Sequence, residues 1–316
     1  MQVTVIIVTY ADRYYLLKEV LVSCLNLGVN DIIIVDNNSE KNSKEKIKKF
    51  LKDTQKVQVI SNKQNVGSAK AYKQGLEKAY KLNNEYIWLL DDDNKPRARA
   101  LSLLLDFWNK KPKTVSALLS FRPDRVQFRE AVFKENPNLV LSKKNSFSGF
   151  HLFEKISRIY TKEKQNKEKL YGEIACAPYG GLFFHKSLLK EIGYPNEKFY
   201  LYSDDHEWTY RITKRNKKIY LVLDSIVDDI DTSWAIKDKK ETIFSKIKKA
   251  PPFRVYYTIR NRTLFEKQYL VNNNFIYGLN KLLFTVLLFI YSSNTKNFKV
   301  FMRAVKNAEN NNLEKY

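Results

Sequence analysis

Cysteine is almost absent from this sequence, and so are several of the motifs that mark common enzyme classes. The two cysteines, Cys24 and Cys176, form no CxxC pair. That excludes a disulfide framework and fits a reducing cytoplasm. No GxGxxG follows the first apolar run, Val3–Val8, and no P-loop occurs anywhere, which removes the dinucleotide-binding and P-loop ATPase readings. Neither cysteine, nor any serine, sits in a nucleophile motif. No basic stretch or cleavage site precedes Val3–Val8, so the N-terminus reads as a buried strand and not as a signal peptide. The most apolar late run, Leu282–Tyr291, falls short of the roughly 20 residues that cross a bilayer, so the chain is expected not to be transmembrane. Acid is the scarce charge. Thirty-four Asp and Glu stand against 56 Lys and Arg, for a formal net charge of +22. Such an excess implies an anionic partner: nucleic acid, acidic lipid headgroups or phosphorylated small molecules.

What is present is enough for a sizeable core. Of the 316 residues, 44% are hydrophobic and 14% aromatic, which suits one large domain or a domain with an appendage. Apolar β-branched runs at Val3–Val8, Ile32–Val35, Val57–Ile60 and Tyr86–Leu90 read as strands. Between them, Leu16, Leu17, Val20, Leu21 and Cys24 have helical spacing, as do Ile47, Phe50 and Leu51, and Ala69, Tyr72 and Leu76. This alternation predicts a parallel sheet covered by helices, with ligand-binding loops along the edge where its strands end. The pattern weakens from Thr114 to about Tyr171, where the Lys-rich stretch Lys155–Lys169 reads as a loop or exposed helix. It resumes with Ala177–His185, a helix through Leu188, Leu189 and Ile192, a helix from Asp204 to Arg215, and strands at Ile219–Leu223 and Ser225–Asp229. A boundary is expected near Lys237, separating residues 1–236 from a mostly helical, basic segment, 237–316.

Four segments carry the chemistry. The strand Trp88-Leu89-Leu90 ends in Asp91-Asp92-Asp93, three like charges that are costly together unless a cation is near. In extended geometry Asp91 and Asp93 share one side, where they can hold a hard divalent ion that keeps positions open for phosphate oxygens. The competing reading is an acidic turn capping a helix near Arg97. Asp36, in Val35-Asp36-Asn37-Asn38-Ser39, can accept from a nucleobase or ribose, or can close an Asx turn. Gly67, after Asn65 and Val66, permits close backbone approach, and Ser68 can cap a helix. The Asp204-Asp205 pair offers a general base for an acceptor hydroxyl, against helix N-terminal capping. Trp208 offers a face for sugar stacking, or simply core. His206 reads as a surface residue.

The ordered set Val8-Thr9-Tyr10, Asp36-Asn37-Asn38-Ser39, Asn65-Val66-Gly67, Leu90-Asp91-Asp92-Asp93, Ala177-Pro178-Tyr179-Gly180-Gly181-Leu182-Phe183-Phe184, Asp204-Asp205 and Arg211 resembles the family 2 glycosyltransferases, inverting enzymes of the GT-A fold. The resemblance runs from Val3 to about Trp234. It implies an α/β, Rossmann-like nucleotide-sugar-binding domain whose second half binds acceptor, followed by the helical C-terminal region. By the same likeness Thr9 and Asp36 contact the nucleotide base and Asp92 the ribose, with Tyr10, Asn65 and Gly67 completing the donor set. Asp91 and Asp93 form the DXD pair for Mn²⁺ or Mg²⁺. Asp205 is the base, with Asp204, Trp208, Gly180 and Gly181 on the acceptor side. Many members carry a His metal ligand where this chain has Ile226-Val227-Asp228-Asp229, so Asp229 is a candidate replacement. Tyr179-Gly180-Gly181 and Tyr256-Tyr257-Thr258-Ile259-Arg260-Asn261-Arg262 resemble galactofuranosyl- and rhamnosyltransferases of bacterial polysaccharide synthesis.

The resulting expectation is a hexosyltransferase using a UDP- or dTDP-linked donor and a growing polysaccharide or lipid-diphosphate-linked acceptor. Leu279, Leu282, Leu283, Val286, Leu287 and Ile290 share a helical face, with Asn280 and Lys281 off it, and Lys296, Lys299, Arg303 and Lys306 follow. Such a stretch suits an anionic membrane surface, which places the protein peripherally on the cytoplasmic face, or suits packing on the catalytic domain. The competing classes are a non-catalytic GT-A assembly factor and a nucleic-acid-binding or nucleotidyl-transfer protein. No nucleic-acid recognition motif is present, and nucleic acid is not expected as a partner.

Overall fold

A computed structural model describes residues 1–152, 166–231, 242–292 and 296–316. The expected boundary near Lys237, and most of the Lys155–Lys169 stretch, lie outside the described residues. The chain divides into two compact units: Met1–Val140, Gln165–Glu197 and Asp205–Ser233 form the first, and Leu141–Lys164, Lys198–Asp204 and Trp234–Tyr316 the second.

In the first unit, β1 (Val3–Ala11), α1 (Tyr14–Asn26), β2 (Asp31–Ser39), α2 (Lys41–Phe50), β3 (Val57–Ser61), α3 (Ser68–Tyr80) and β4 (Tyr86–Asp91) alternate as the apolar periodicity predicts. Then come β5 (Asn94–Pro96), α4 (Ala100–Lys110), β6 (Val115–Phe121), α5 (Val126–Phe133), β7 (Tyr171–Ile174), β8 (Leu182–His185) and β9 (Lys218–Asp229). The sheet order is β3-β2-β1-β4-β8-β6-β9-β5, with β7 also pairing with β9. The first four strands are parallel. The sheet as a whole is mixed, because β8 inserts antiparallel between β4 and β6. The two strands expected at Ile219–Leu223 and Ser225–Asp229 are one strand, β9, with a register irregularity against β6 between Ser120 and Phe121.

Side chains alternate across the strands and build a core on each face. Val5, Ile7, Ile32, Ile34, Trp88 and Leu90 pack with Leu17, Val20, Leu101 and Leu104 of α1 and α4. Ile6, Ile33, Val35, Ile87 and Leu89 pack with Tyr72 and Leu76 of α3 and with Trp208 and Ile212. Register sets Val8 beside Asp91 and Thr9 beside Asp36, so the candidate residues at the ends of β1, β2 and β4 gather at one sheet edge.

The second unit has its own core around Phe147, Tyr256, Phe284 and Phe301, carried by helices Ile243–Lys249, Pro252–Tyr269, Asn274–Ser292 and Lys296–Glu309. One sequence expectation is corrected here. The apolar run is part of a 19-residue helix, Asn274–Ser292, with mean hydropathy 1.6, long and apolar enough to cross a membrane by length and composition. The argument that the segment is too short therefore does not hold. Asn280, placed off the apolar face, is instead buried. Its amide donates to the Asn145 carbonyl and accepts from the Leu152 N–H, each at 2.9 Å.

Helix α3 approaches the sheet closely at Gly75, where an added Cβ would lie 2.5 Å from Ile6 Cγ2 and 3.2 Å from Val35 Cγ2. Gly75→Ala gains helix propensity, about 1 kcal/mol, but overpacks the core at a cost of about 1–3 kcal/mol. The net expectation is a lower urea midpoint, and a raised one would show that α3 has room to spare.

Candidate active site

The site begins where β4 stops. The chain turns after Asp91, so strand alternation does not govern the next two residues, and each carboxylate finds its own setting. Asp92 turns inward and is 2% exposed. Its Oδ2 accepts from the Thr9 hydroxyl at 2.8 Å, and both oxygens accept from Arg13 Nε at 3.0 Å. Burial raises the Asp92 pKa, which Arg13 and Thr9 partly offset. Asp93 Oδ2 accepts from Arg13 Nη2 at 2.9 Å and its Oδ1 from Asn94 Nδ2 at 2.9 Å. Asp91 keeps a carboxylate 41% exposed at the rim. Its Oδ1 accepts from the Tyr72 hydroxyl at 2.6 Å, and its Oδ2 lies 3.5 Å from Arg122 Nη1.

Two arginines, Arg122 buried and Arg13 half-buried, hold this charge together, and neither was singled out from sequence. Arg13, just before α1, also donates from Nη1 to Asp231 at 2.6 Å. Burial disfavours its charge, yet Asp92, Asp231 and Asp93 hold its pKa above the ordinary value. Arg122, at the end of β6, pairs with Asp229 and is likewise raised against the burial cost by Asp91 and Asp229. Asn94 ties the halves together: its Nδ2 donates to Asp93 and, at 3.0 Å, to Asp229 Oδ1, while its Oδ1 accepts from the Asp91 N–H at 3.2 Å. Asp229 is thus brought to the cluster, where it ion-pairs with Arg122. Gly180 is needed for close approach, since a Cβ there would lie 2.0 Å from Asn94 Oδ1 and 2.8 Å from both Arg122 Nη1 and Asp91 Oδ2. Gly181, at φ 98°, donates to the Leu89 carbonyl at 2.8 Å. Both glycines support the carboxylate cluster.

The remaining expected residues are placed as follows. Asp36 is buried and its Oδ1 accepts from the Ser39 N–H at 2.7 Å, the Asx-type turn. Asn65 accepts from Asn37 Nδ2 at 3.0 Å and from the Gly67 N–H at 2.9 Å. Gly67, with φ 84°, is itself the N-cap of α3, the place proposed for Ser68. Tyr10 is exposed beside these strand ends, with the Arg13 guanidinium 5.3 Å from its ring centre. Trp208 has no face open to solvent: it is fully buried against Tyr179 and Phe184, and its indole N–H donates to the Gly193 carbonyl at 2.9 Å. Trp208 is core.

Asp204 is buried and opens the helix Asp204–Thr213. Asp205 is half-buried, and its Oδ1 accepts from the His206 N–H at 2.7 Å. Burial and the charge of Asp91 push its pKa up to about 6, against the lowering pull of the His206 N–H and Arg125. The fold thus brings Asp205 within electrostatic reach of Asp91. The loop leading to it is anchored by the second unit's sequence motif. Arg260 Nη2 donates to the carbonyls of Lys198 and Phe199 at 3.1 and 3.0 Å. Asn261 Nδ2 donates to those of Phe199, Leu201 and Tyr202 at 2.7–2.9 Å. Tyr200, Tyr202 and Ser203 sit at positive φ, a strained conformation for such residues that the clamp sustains.

Mg²⁺ and Mn²⁺ are commonly held by one or two carboxylates, with substrate phosphates completing the shell. The donor set fits that pattern. Among the described residues, no three His, Cys, Asp or Glu side chains form a ready cage. Asp91 nonetheless offers an exposed carboxylate. Burial and the charges of Asp91, Asp92 and Asp229 raise the Asp93 pKa to about 7, so a further cation would be welcome there.

A family profile described as "Glycosyl transferase family 2" matches residues 4–193. Among solved structures, GalNAc-T7 with UDP, GalNAc and Mn²⁺ shares the fold at TM-score 0.54 and 17% identity, covering 98% of this chain and 57% of that one. The mannosyltransferase PcManGT from Pyrobaculum calidifontis, in complex with GDP-Man and Mn²⁺, does so at TM-score 0.50 and 15% identity, covering 99% and 87%. The chain therefore spans little more than half the length of the first. No curated protein sequence matches.

Because the Asp93 pKa is raised from an ordinary 3.8 to about 7, its contribution to stability is present below about pH 4 and is lost as pH rises through 7. A cation bound beside it reverses the loss. Mn²⁺ is expected to raise the Tm by several degrees at pH 8 and much less at pH 5. Asp93→Asn is expected to raise the metal-free Tm at pH 8 and to abolish most of the metal increment. An increment that is equal at the two pH values, or retained in the variant, counts against the site.

Proposed function

The chain belongs to glycosyl transferase family 2, and on that premise we propose that it moves a hexose from a nucleoside-diphosphate sugar to an acceptor hydroxyl with inversion. The donor favoured is UDP- or dTDP-linked galactofuranose or rhamnose. The acceptor is a growing cell-surface polysaccharide or a lipid-linked saccharide at the cytoplasmic face of a membrane. The observation that carries the reading is the meeting, at one sheet edge, of the Asp91-Asp92-Asp93 cluster with Asp205 held near a pKa of about 6.

In this reading Asp91 and Asp93 hold the divalent cation, which when bound supplies Lewis-acid neutralisation of the leaving diphosphate. Asp205, oriented through its hydrogen bond from the His206 N–H, accepts the proton of the acceptor hydroxyl as that oxygen bonds to the anomeric carbon. The bond from that carbon to the diphosphate oxygen breaks on the opposite face, so one displacement inverts the configuration. A base of pKa about 6 is ionised at neutral pH yet still basic enough to help, which is the useful compromise for general-base catalysis. Arg13 and Arg122 keep the cluster's carboxylates in place through their ion pairs.

The test is turnover of a nucleotide-sugar panel by the full chain. EDTA is expected to stop transfer and Mn²⁺ or Mg²⁺ to restore it. kcat/KM should rise with pH through a limb near 6 and level off above 7, because Asp205 must lose its proton to act. Asp205→Asn should lower kcat at least 10²-fold with donor affinity changed little. Full activity in chelator would remove the metal role, and substantial transfer by the variant would remove the base assignment.

A further inference from the structure

One side of the helix Asn274–Ser292 is buried in its own unit, and the other is apolar and exposed among the described residues. Tyr277, Asn280, Phe284, Leu288 and Ser292 form a buried stripe along its length. On the opposite side Phe275, Leu282, Val286, Phe289 and Ile290 are exposed, Phe275 at 81%, Ile290 at 73% and Leu282 at 59%. These positions fall on one face at helical spacing. A soluble helix normally turns charge outward there, and a continuous apolar patch of this kind marks an interaction surface.

Basic side chains surround the end of this face. Phe244 packs on Phe284 and Tyr291, with ring centres 5.2 and 6.2 Å apart, which brings the exposed Lys246, Lys248 and Lys249 to the helix's C-terminal half. Phe298 packs on Phe289 at 5.5 Å and brings in Lys296 and Lys299. The helix Lys296–Glu309 buries Val300, Phe301, Ala304 and Val305 and leaves Lys296, Lys299 and Lys306 exposed, while Arg303 stacks over the Tyr256 and Tyr316 rings. An apolar face flanked by lysine and arginine is the pattern of a helix lying in the plane of an anionic membrane.

We infer that the outward face of Asn274–Ser292 is a docking surface for anionic lipid, with Phe275, Leu282, Val286, Phe289 and Ile290 entering the acyl boundary and the flanking lysines meeting headgroups. This names the surface behind the membrane part of the proposed function, and it is independent of the sugar chemistry. The helix lies along the membrane and does not cross it. Its buried stripe is fixed to its own unit, with the Asn280 amide bonded to Asn145 and Leu152, so spanning would draw that folded unit into hydrocarbon. A second copy is disfavoured as occupant, since pairing this face would bring two sets of lysines together.

The experiment is co-sedimentation of the full chain with phosphatidylcholine vesicles with and without about one-third phosphatidylglycerol, alongside donor hydrolysis in vesicle-free buffer and sedimentation velocity. The wild type is expected to bind the anionic vesicles at low salt, to weaken steeply at high salt, and to bind neutral vesicles far less. Leu282→Glu/Ile290→Glu, both at exposed positions, should cut binding at least tenfold with the Tm and soluble donor hydrolysis unchanged. No binding by the wild type at low salt, equal binding to neutral vesicles, or unaltered binding by the variant overturns the inference. So does a wild-type dimer that the substitutions dissolve. Hydrolysis reports separately on the sugar-transfer reading, so either can fail alone.

Discussion

The candidate site depends on one electrostatic problem: too many carboxylates at one sheet edge. Asp91, Asp92, Asp93, Asp229 and Asp231 converge where β4 and β9 end, and like charges at this spacing resist joint ionisation. Arg13 and Arg122 answer it from opposite sides, the first bridging Asp92, Asp93 and Asp231, the second joining Asp91 to Asp229. A buried ion pair gains little net stability, but losing one partner is costly because the other charge is left stranded. The arrangement is therefore strongly locked in place. Five carboxylates there face two arginines, and burial together with Asp91, Asp92 and Asp229 raises the Asp93 pKa. A fold that fixes acids firmly while leaving excess negative charge is prepared for a cation that arrives with its substrate.

Most of the scaffold that creates this edge was legible in the sequence, and the reason is local. The strands β1 to β4 and the helices α1 to α3 declare themselves through apolar periodicity, and parallel connection then dictates that their ends share an edge. The antiparallel half was less legible. β6, Val115–Phe121, lies in the stretch where periodicity weakens, because both its faces are buried and its apolar run does not alternate. β9 looked like two strands because Asp224 interrupts it. In the structure Asp224 is exposed and the Ser225 hydroxyl is buried, bonded to Ser120 Oγ and the Ala100 carbonyl at 2.9 Å each, and the strand runs on through both.

The site residues divide in the same way. The acids were visible because clustered charge at a strand end is a local anomaly. Their partners were not: Arg13, Tyr72, Asn94 and Arg122 look ordinary in sequence and acquire meaning only from pairings between distant segments. Trp208 shows the opposite error, since an aromatic near an acidic pair suggests a sugar platform, while the fold uses it to fill the core beside Tyr179. The Arg260-Asn261 pair was singled out by resemblance alone. Its physical role emerges from the carbonyls of Lys198, Phe199, Leu201 and Tyr202, which its side chains bind in a loop that no regular ladder satisfies. Tyr200, Tyr202 and Ser203, held at positive φ just before Asp204, belong to the same unit as the clamp.

Composition gains a similar resolution. A charge of +22 names no partner by itself, because phosphate, lipid and nucleic acid all attract it. The structure separates the positive charge into two uses that differ in burial. Arg122 is buried and Arg13 half-buried, and both are paired with carboxylates of the site. Lys246, Lys248, Lys249, Lys296, Lys299 and Lys306 are exposed beside an apolar helix face. Long-range attraction from such lysines fades within about 10 Å at 0.1 M salt, so charge can bring the protein to an anionic surface but cannot by itself hold it there. Burial of Phe275, Leu282 and Ile290 does not depend on salt in that way. On the membrane proposal, attraction and retention thus rest on different side chains of one small unit.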